Sequence, residues 1–378
     1  MVQLSSARAA LVPLKFTPRL CRLIATLAVI TLAQWHFAPA GQPQAPASPK
    51  QALPKPDTSP ERFEFTETHM GSPVHIVLYT KNAAHAKAAA TAAYARMARL
   101  DLAFSDYNPE SELMKLVDTF ATRAAPPVAV SPDLYDILHR SAEISRATGG
   151  AFDITAAPVI RQWRRARRDH KMPTADNLRE ALARVDYRRV RLWPDTRQVQ
   201  LEPGTRLDLG GIAKGYAAVE MLRVLEKEGT PRALVSVAGD IAAGDAPPGK
   251  PGWRVDVAGL NPTRDKPPAT IDVARAAVST SGDAERYVEL DGRRYSHIVD
   301  PKTGLGVVRR ASVTVVSSLD VSADAYATAL FLLGVKGPGL LDHLKPPPAL
   351  SVFWQEETPT GQLIEKRSGV FETSGKRK

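Results

Sequence analysis

The chain has 378 residues, 44% of them hydrophobic, which is enough for one large domain or two modest ones. Its formal net charge of +10 suits anionic ligands but does not by itself predict a nucleic-acid partner. Its single cysteine, Cys21, lies before the first apolar run, so the residues after that run contain no disulfide, no thiol nucleophile and no zinc–thiolate site.

The first 40 residues have the pattern of a targeting segment. The basic part contains four cations and no acid: Arg8, Lys15, Arg19 and Arg22. The 11-residue apolar run Leu23–Ala33 follows, which is short for a membrane span and typical of a signal peptide. We therefore predict a signal peptide over residues 1–40, or alternatively an uncleaved signal anchor that associates the protein with the inner membrane. In both cases the rest of the chain is expected to be exported to the periplasm.

A proline-rich linker is predicted over residues 41–60. The stretch Pro39–Pro60 contains seven prolines separated by Gln, Ala, Ser and Lys, a composition that stays extended and builds no core. The folded domain is predicted to cover residues 61–372. Near its start we expect a strand at Val74–Thr80 and a long alanine-rich helix that is capped by Asn82.

Helix starts can be recognised in the middle of the chain. Ser131 followed by proline predicts a helix that runs to Thr148 and stops at a glycine pair. Thr174 opens a second, shorter helix. The basic run Arg161–Lys171 is interpreted as a solvated helix face or loop, because it lacks the interleaved aromatic platform of nucleic-acid-binding stretches.

The strands and the last helix are predicted from alternating apolar residues and from caps. The predicted strands are Val190–Trp193, Val199–Leu201, Ala233–Val237, Trp253–Val257 and Ser312–Ser317, with a last hairpin between Leu350 and Val370. A helix capped by Ser322 is predicted to end at Gly334. Hairpin-paired strands mixed irregularly with helices favour an α+β fold over a doubly wound sheet.

The stretch Leu207–Glu220, LDLGGIAKGYAAVE, combines an acid, two glycines and a lysine at the start of a predicted amphipathic helix. Gly210 and Gly211 allow the backbone to approach a ligand closely, and Lys214 adds a positive charge near a helix start, where phosphate binds. The spacing matches neither a P-loop nor the dinucleotide fingerprint. From the spacing alone, a phosphate site and a plain glycine-containing loop both remain open.

A second stretch, Ser279–Gly304, contains a predicted small-residue turn at residues 280–283 and a hairpin turn at Asp291-Gly292. His297 follows at the end of a predicted strand, where an imidazole can accept a proton near neutral pH. The alternative is a surface hairpin histidine without a catalytic role.

A third stretch places Asp324 and Thr328 four residues apart on the predicted last helix, so that both oxygens face the same way. A carboxylate and a hydroxyl, supplemented by backbone carbonyls and water, suit a hard cation such as Mg²⁺. The alternative is an ordinary pair on a helix surface, which the spacing alone does not exclude.

Four motifs in this order, DLGGIAKGYA, TSGDAERY, HIVDPKTG and ADAYATALFLLG, closely resemble the ApbE family, the FAD:protein FMN transferases. The resemblance extends upstream to Met70-Gly71, FSDYNPESEL and GGAFDIT, and it covers about Phe63 to Gly334. It implies an ApbE-like α+β fold of mixed, largely antiparallel sheets with flanking helices. It also implies an enzyme that uses Mg²⁺ to transfer the FMN moiety of FAD onto a threonine hydroxyl of a target protein, with release of AMP.

The resemblance implies site residues position by position. Contacts to FAD are implied at Met70, Tyr107, Ala151, Phe152, Asp153, Asp208, Lys214 and Val299. Magnesium ligands are implied at Gly211 through its carbonyl oxygen, at Asp324 and at Thr328, and His297 matches the histidine proposed to deprotonate the acceptor. Two positions depart from the family pattern. Ser72 replaces a threonine, and Ala238 replaces the first glycine of a Gly-Gly-Asp, so we expect this loop to lie slightly further from the ligand and activity to survive both changes.

The implied partners are FAD and an acceptor protein with a flavinylation-motif threonine, such as a membrane redox-complex subunit or an exported flavoprotein. Two alternatives remain. An exported FAD pyrophosphatase would use water as the acceptor and yield FMN and AMP at the same metal site. A non-catalytic flavin-binding protein would have no need for His297 beside a complete metal pair, so the sequence favours an enzyme.

Overall fold

The computed structural model of the chain describes residues 59–260, 267–283, 286–334, 339, 349–358 and 360–373. The predicted signal peptide and most of the predicted linker lie outside these residues. Within the described ranges, no helix has both the length and the apolar character needed to cross a membrane.

The strands, numbered in chain order, are β1 (Glu61–His69), β2 (Ser72–Thr80), β3 (Val128–Ala129), β4 (Val190–Trp193), β5 (Gln198–Leu201), β6 (Ala233–Val237), β7 (Asp240–Ala243), β8 (Trp253–Val257), β9 (Ala269–Val273), β10 (Ala276–Gly282), β11 (Tyr287–Leu290), β12 (Arg293–Ser296), β13 (Arg310–Ser318), β14 (Leu350–Glu357) and β15 (Leu363–Arg367). The helices are α1 (Ala83–Phe104), α2 (Glu112–Thr119), α3 (Pro132–Ala147), α4 (Ala157–Asp169), α5 (Ala175–Leu182), α6 (Ala213–Lys227), α7 (Ala323–Leu333) and the short α8 (Val370–Thr373). Two 3-10 turns lie at Ile154–Ala156 and Tyr187–Arg189.

The largest sheet is antiparallel and has the strand order β1, β2, β6, β7, β10, β13, β14, β15. Two-residue turns join β1 to β2 and β6 to β7, and their residues Met70, Gly71, Ala238 and Gly239 all have positive φ. This is the backbone conformation of a type I′ hairpin turn, whose twist matches that of the strands. The amide of Ala238 donates to the carbonyl of Pro73 (3.2 Å), so both turns lie at the same end of the sheet.

The two faces of this sheet are covered differently. Helices α1, α6 and α7 pack on one face, where the largest cluster of buried apolar side chains lies, including Ile76, Met97, Val235 and Phe331. The two-stranded β8–β9 sheet covers part of the other face through Trp253, Val255, Val257 and their neighbours. Burial of apolar area on both faces is the main favourable contribution to folding here.

A third apolar cluster attaches the β11–β12 hairpin to α4 and α5. Trp163 of α4 stacks at a tilt on Tyr295 of β12, with 4.9 Å between the ring centroids. Its indole N–H donates to the carbonyl of Gly304 (2.7 Å), which satisfies the one polar atom of a buried ring. The segment between Tyr295 and Gly304, which carries His297, is therefore held at both ends by one side chain.

The predicted α+β class and antiparallel sheets are confirmed, as are the predicted helices that begin after Asn82, Ser131, Thr174 and Ser322. The prediction of a turn at residues 280–283 is wrong, because residues 280–282 are the end of β10 and pair with β13 from Thr280↔Thr314 to Gly282↔Ser312. Small polar side chains fit there because the sheet end borders a cleft rather than the core.

Candidate active site

Every residue that the resemblance implies for the site lies on one cleft of about 1140 Å³. These residues are Met70, Tyr107, Ala151, Phe152, Asp153, Asp208, Gly211, Lys214, His297, Val299, Asp324 and Thr328. The cleft also borders both tight turns of the large sheet, the second half of β8 and the end of β10. Segments that are far apart in the sequence are thus brought together at one end of the sheet.

The glycine pair lies on the loop that leads into α6. The amide of Asp208 donates to the carbonyl of Ile154 (2.8 Å), and a carboxylate oxygen of Asp208 accepts from the amide of Gly210 (2.8 Å). A Cβ on Gly210 would lie 2.9 Å from that oxygen, so any other residue here would displace the carboxylate of Asp208. Lys214 follows in the first turn of α6 and lies on the cleft. A helix start and a cation therefore meet there, which is an arrangement that attracts phosphate.

Arg164 joins two loops at one end of the cleft, and the sequence did not single it out. Its guanidinium donates to Asp106 and to Asp208, at 2.6 Å each. It also lies over the ring of Tyr107, 4.7 Å from the centroid, while that tyrosine stays 76% exposed. Burial raises the pKa of Asp208, and the positive charge of Arg164 opposes this rise. Most of the basic run is thus helical, which agrees with the predicted helix face rather than with the alternative of a loop. Arg164, however, points into the site and does not belong to a solvated face.

The implied metal ligands form an oxygen-rich group between α6 and α7. Asp324 is 7% exposed, and the amide of Gly215 donates to its Oδ2 (3.3 Å). The hydroxyl of Thr328 lies 3.1 Å from that of Ser281 on β10. Gly211 packs against Thr328, since a Cβ on that glycine would lie 3.4 Å from the threonine Oγ1. Oxygen atoms of this kind are the ligands that Mg²⁺ prefers.

Asp240, a second buried carboxylate, lies on the same cleft and was not among the predicted site residues. Burial raises its pKa well above the ordinary value, and the charge of Asp324 raises it further, against a hydrogen bond from Ser279 and the charge of Lys214. Burial also raises the pKa of Asp324. A divalent cation near two desolvated carboxylates would relieve their repulsion, so these residues fit a magnesium site.

The carboxylate count at this site is low for a cation held by protein alone. Among the residues that the structure describes, no group of three or more His, Cys, Asp or Glu side chains is arranged to hold a metal ion. A Mg²⁺ ion at Asp324 would therefore depend on neutral oxygens as well, and it usually also keeps waters and binds substrate phosphates.

The contact between Gly215 and Asp324 gives a first prediction. A Cβ on Gly215 would lie 2.7 Å from the Cβ of Asp324. Because a Cβ moves only with its backbone, Gly215→Ala must push the two helices apart and displace Asp324. We expect the variant to be destabilised by about 1–3 kcal/mol, as for other overpacked cores. We expect Mg²⁺ to raise the melting temperature of the wild type, and we expect the variant to lose most of this increase. Thermal unfolding with and without Mg²⁺ measures both effects.

The opposite sign would contradict this packing. An unobstructed glycine inside a helix gains about 1 kcal/mol when it is replaced by alanine. A Gly215→Ala protein that melts at a higher temperature and still responds to Mg²⁺ would therefore show that α6 and α7 are not in close contact at this point.

His297 follows the last residue of β12, as the sequence predicted, and its ring is oriented by one carbonyl group. Both its backbone amide and its Nδ1 lie 3.0 Å from the carbonyl oxygen of Arg286. A carbonyl oxygen only accepts, so Nδ1 carries the proton and Nε2 keeps its lone pair. The ring is accessible from the cleft. Desolvation by the surrounding protein nevertheless lowers the pKa of the imidazole to about 4, and the positive charges of Arg286, Arg167 and Lys214 act in the same direction. At neutral pH this imidazole is therefore unprotonated and able to accept a proton.

The β11–β12 hairpin is attached to the large sheet by Asp283, which lies at the end of β10. Its Oδ1 accepts from the amide of Ala311 (3.2 Å), and its Oδ2 lies 3.2 Å from the Nε of Arg294 on β12. Arg294 also stacks on the ring of Tyr287, 3.4 Å from the centroid. These contacts fix the position of the strand that precedes His297.

The remaining predicted residues differ in how they are available to a ligand. Phe152 and Val299 are buried walls of the cleft, while Met70 is half-buried on its tight turn. The carboxylate of Asp153 is already used, since it accepts from Thr155 on one oxygen and from the amide of Tyr187 on the other. Asp153 therefore shapes the cleft through its loop more than through a free charge.

The chain is similar in sequence to proteins of one family. A model of the ApbE family matches residues 70–350. The chain is 32% identical over 328 residues to the FAD:protein FMN transferase of Treponema pallidum (strain Nichols), which covers 82% of this chain and 90% of that protein. It is also 32% identical over 241 residues to the FAD:protein FMN transferase of Escherichia coli (strain K12), which covers 62% of this chain and 68% of that protein.

Solved structures of similar proteins share the fold. The flavin transferase ApbE from Vibrio cholerae, as a histidine-to-glycine mutant, matches with a TM-score of 0.72 at 25% identity, over 83% of this chain and 99% of that chain. The ApbE protein from Thermotoga maritima matches with a TM-score of 0.72 at 27% identity, over 84% of this chain and 100% of that chain.

Proposed function

Because the chain belongs to the ApbE family, as its motifs predicted, we propose that it is an FAD:protein FMN transferase. The acceptor is a threonine hydroxyl of another protein, and AMP is released. The observation that carries this proposal is the meeting of two groups on one cleft. One is His297 with a free Nε2, and the other is the buried oxygen group around Asp324.

The transfer balances as a phosphoryl-group exchange. The threonine oxygen forms a bond to the phosphorus on the FMN side of the FAD pyrophosphate, and the bond from that phosphorus to the AMP oxygen breaks. The hydroxyl proton passes to Nε2 of His297, whose Nδ1 remains bonded to the carbonyl of Arg286. The product is FMN joined to threonine by a phosphoester bond. Phosphoryl transfer of this kind relies mainly on positioning and charge stabilisation.

Asp324, Thr328 and the carbonyl of Gly211 are the residues that would hold Mg²⁺, with Asp240 close enough to contribute. When bound, Mg²⁺ supplies charge neutralisation of the pyrophosphate and of the leaving AMP. Lys214 lies near both carboxylates and adds positive charge at the same place. The aromatic walls formed by Tyr107 and Phe152 offer faces on which the rings of FAD can pack.

An FAD pyrophosphatase is the second candidate, and the openness of the cleft favours it. Tyr107 is 76% exposed at the rim and His297 is accessible from the cleft, so water can reach the same base. The chemistry is then identical except that water replaces the threonine hydroxyl and free FMN is the product.

One experiment separates these functions. The full chain is incubated with FAD, Mg²⁺ and a synthetic peptide that carries a flavinylation-motif threonine, and AMP and peptide mass are followed together. Transfer gives AMP and FMN-peptide in equal amounts. Hydrolysis gives AMP and free FMN with an unmodified peptide. FAD that binds but yields no AMP would identify a flavin-binding protein and contradict both enzymes.

Export to the periplasm is part of this proposal, because the basic region, the apolar run Leu23–Ala33 and the proline-rich linker precede the domain. The acceptor is then a membrane redox-complex subunit or an exported flavoprotein. A reporter that is active only in the periplasm, fused after Pro60, is expected to give a signal. A matched fusion that lacks residues 1–40 is expected to be silent. A silent full-length fusion at normal expression would contradict export.

A further inference from the structure

The β8–β9 sheet presents one open edge to the catalytic cleft. Five consecutive residues, 255–259, line the cleft, and they include the second half of β8. A run of consecutive residues has side chains on both faces of a strand, so it is the edge of β8 that borders the cleft. Within the described part of the chain, β8 pairs only with β9, from Trp253↔Val273 to Val257↔Ala269.

This edge is held rigidly, although β9 is the only strand that pairs with β8 among the described residues. Trp253, Val255 and Val257 are buried against the large sheet, while Arg254 and Asp256 point to solvent. The strand therefore cannot easily twist away to hide its unpaired N–H and C=O groups, and such groups are a template for pairing with another extended chain.

The edge lies apart from the residues that are assigned to FAD and Mg²⁺. None of those residues lies on β8 or β9. They lie on the tight turn at Met70, on the loop between α1 and α2, around α4 and α6, on α7 and beside His297. The edge of β8 is therefore a border of the cleft that remains for a second, polypeptide substrate.

A continuous series of contacts connects this edge to the catalytic base. The hydroxyl of Ser312 donates to the carbonyl of Ala258, directly after β8, at 3.1 Å. Ser312 pairs with Gly282 at the end of β10, and the next residue, Asp283, contacts Arg294 on the strand that precedes His297. The open edge and His297 are thus two borders of the same opening.

We propose that an extended segment of the acceptor protein binds as a third strand on the open edge of β8 and so carries its threonine to His297. This inference rests on the proposed transferase function and adds the mode of acceptor binding. Main-chain hydrogen bonds to the edge would give affinity, as in other cases of strand addition, and would leave most acceptor side chains unspecified.

Backbone methylation of the acceptor tests the pairing. Each amide nitrogen of the peptide is methylated in turn, and KM and kcat for FMN transfer are measured with the wild-type full chain. Strand addition predicts that the effect of methylation on KM alternates from one peptide residue to the next, because only every second amide points toward the edge. We expect KM to rise about tenfold at every second position, with kcat unchanged, and to change little between them. A rise without that alternation would overturn the proposal.

Disulfide capture tests the same geometry without turnover. The full chain with Cys21→Ser and Asp256→Cys has one thiol beside the edge, on the solvent face of β8. Peptides with cysteine at successive positions are expected to be captured at alternate positions in one register. Thr270→Cys is the matched control, because Thr270 pairs with Asp256 but lies on β9, behind the edge, and is expected to capture none.

The outcomes distinguish the two proposals. If the wild type transfers FMN but neither alternation nor selective capture occurs, the docking mode is wrong and the transferase function stands. If the wild type releases AMP without modifying any peptide, the transferase function is wrong. Equal capture by the Asp256→Cys and Thr270→Cys proteins would also overturn docking on β8, whatever the activity.

Discussion

Asp324→Ala is expected to lower the rate of FMN transfer by about a thousandfold, because in the proposed mechanism this carboxylate holds the Mg²⁺ that would supply several kcal/mol of charge stabilisation at the pyrophosphate. FAD binding is expected to persist, since the residues implied to contact the rings and ribose lie elsewhere on the cleft. Thr328→Val removes a proposed neutral ligand and is expected to have the smaller effect. Single-turnover transfer at saturating FAD measures both variants.

Thermal unfolding supplies a second measurement on the same variant. Asp324 is desolvated and repelled by Asp240. Its removal from the metal-free protein relieves this repulsion and is expected to cost only the small cavity and the hydrogen bond from the amide of Gly215. The wild type is expected to melt at a higher temperature when Mg²⁺ is added, as for any ligand that binds only the folded state, and Asp324→Ala is not. Asp118→Ala, which removes an exposed carboxylate of α2, is the control for charge alone. Wild-type turnover by Asp324→Ala in excess Mg²⁺ would contradict the assignment.

Much of the fold could be predicted because the signals were local. The start of α3 needs only Ser131 and the proline after it, and the start of α1 needs only the amide side chain of Asn82, which accepts from two backbone amides. The β4–β5 hairpin needs only two short alternating runs. None of these depends on a partner that is distant in the sequence.

The prediction of a turn at residues 280–283 was wrong because the structure there depends on pairing with a strand that is distant in the sequence. Small polar residues are common in turns, and the sequence contains nothing local that shows residues 280–282 to extend β10 and pair with β13. Strand β7 was missed for a similar reason. It is four residues long, DIAA, and its pairing with β6 and β10 is what makes it a strand.

The ordered motifs identified most residues of the candidate site. The residues that were missed are charged side chains whose partners lie in other segments of the sequence. Asp240 was part of a recognised loop, but its proximity to Asp324 depends on how β7 and α7 both pack against α6. Arg164 lies in a run of basic residues that all look alike in sequence, and only the fold shows that this one reaches Asp208. Charge partners across the chain cannot be identified from composition or periodicity.

His297→Ala is expected to bind FAD with nearly unchanged affinity and to transfer FMN about 10²–10⁴-fold more slowly, which is the usual contribution of a positioned base. The reason is the ring orientation: Nδ1 is used by the carbonyl of Arg286, and Nε2 is the free acceptor on the cleft. The loss is expected to be partly recovered at high pH, where the threonine hydroxyl needs less help to lose its proton. FAD affinity and single-turnover transfer are measured on the same protein.

A structural role for His297 gives a different pattern in the same two measurements. If the ring only supports the backbone at Val299, which bridges to Gly306, its removal would weaken FAD binding and leave the rate at saturating FAD almost unchanged. His139→Ala, on α3 and away from the cleft, controls for the loss of an imidazole and is expected to change neither quantity. Only slower FMN transfer with unchanged FAD affinity fits a general base, because a general base removes the proton from the acceptor hydroxyl and does not bind the flavin. An intact rate with weakened affinity would therefore remove His297 from the chemistry, and proton acceptance would have to be assigned to another group on the cleft.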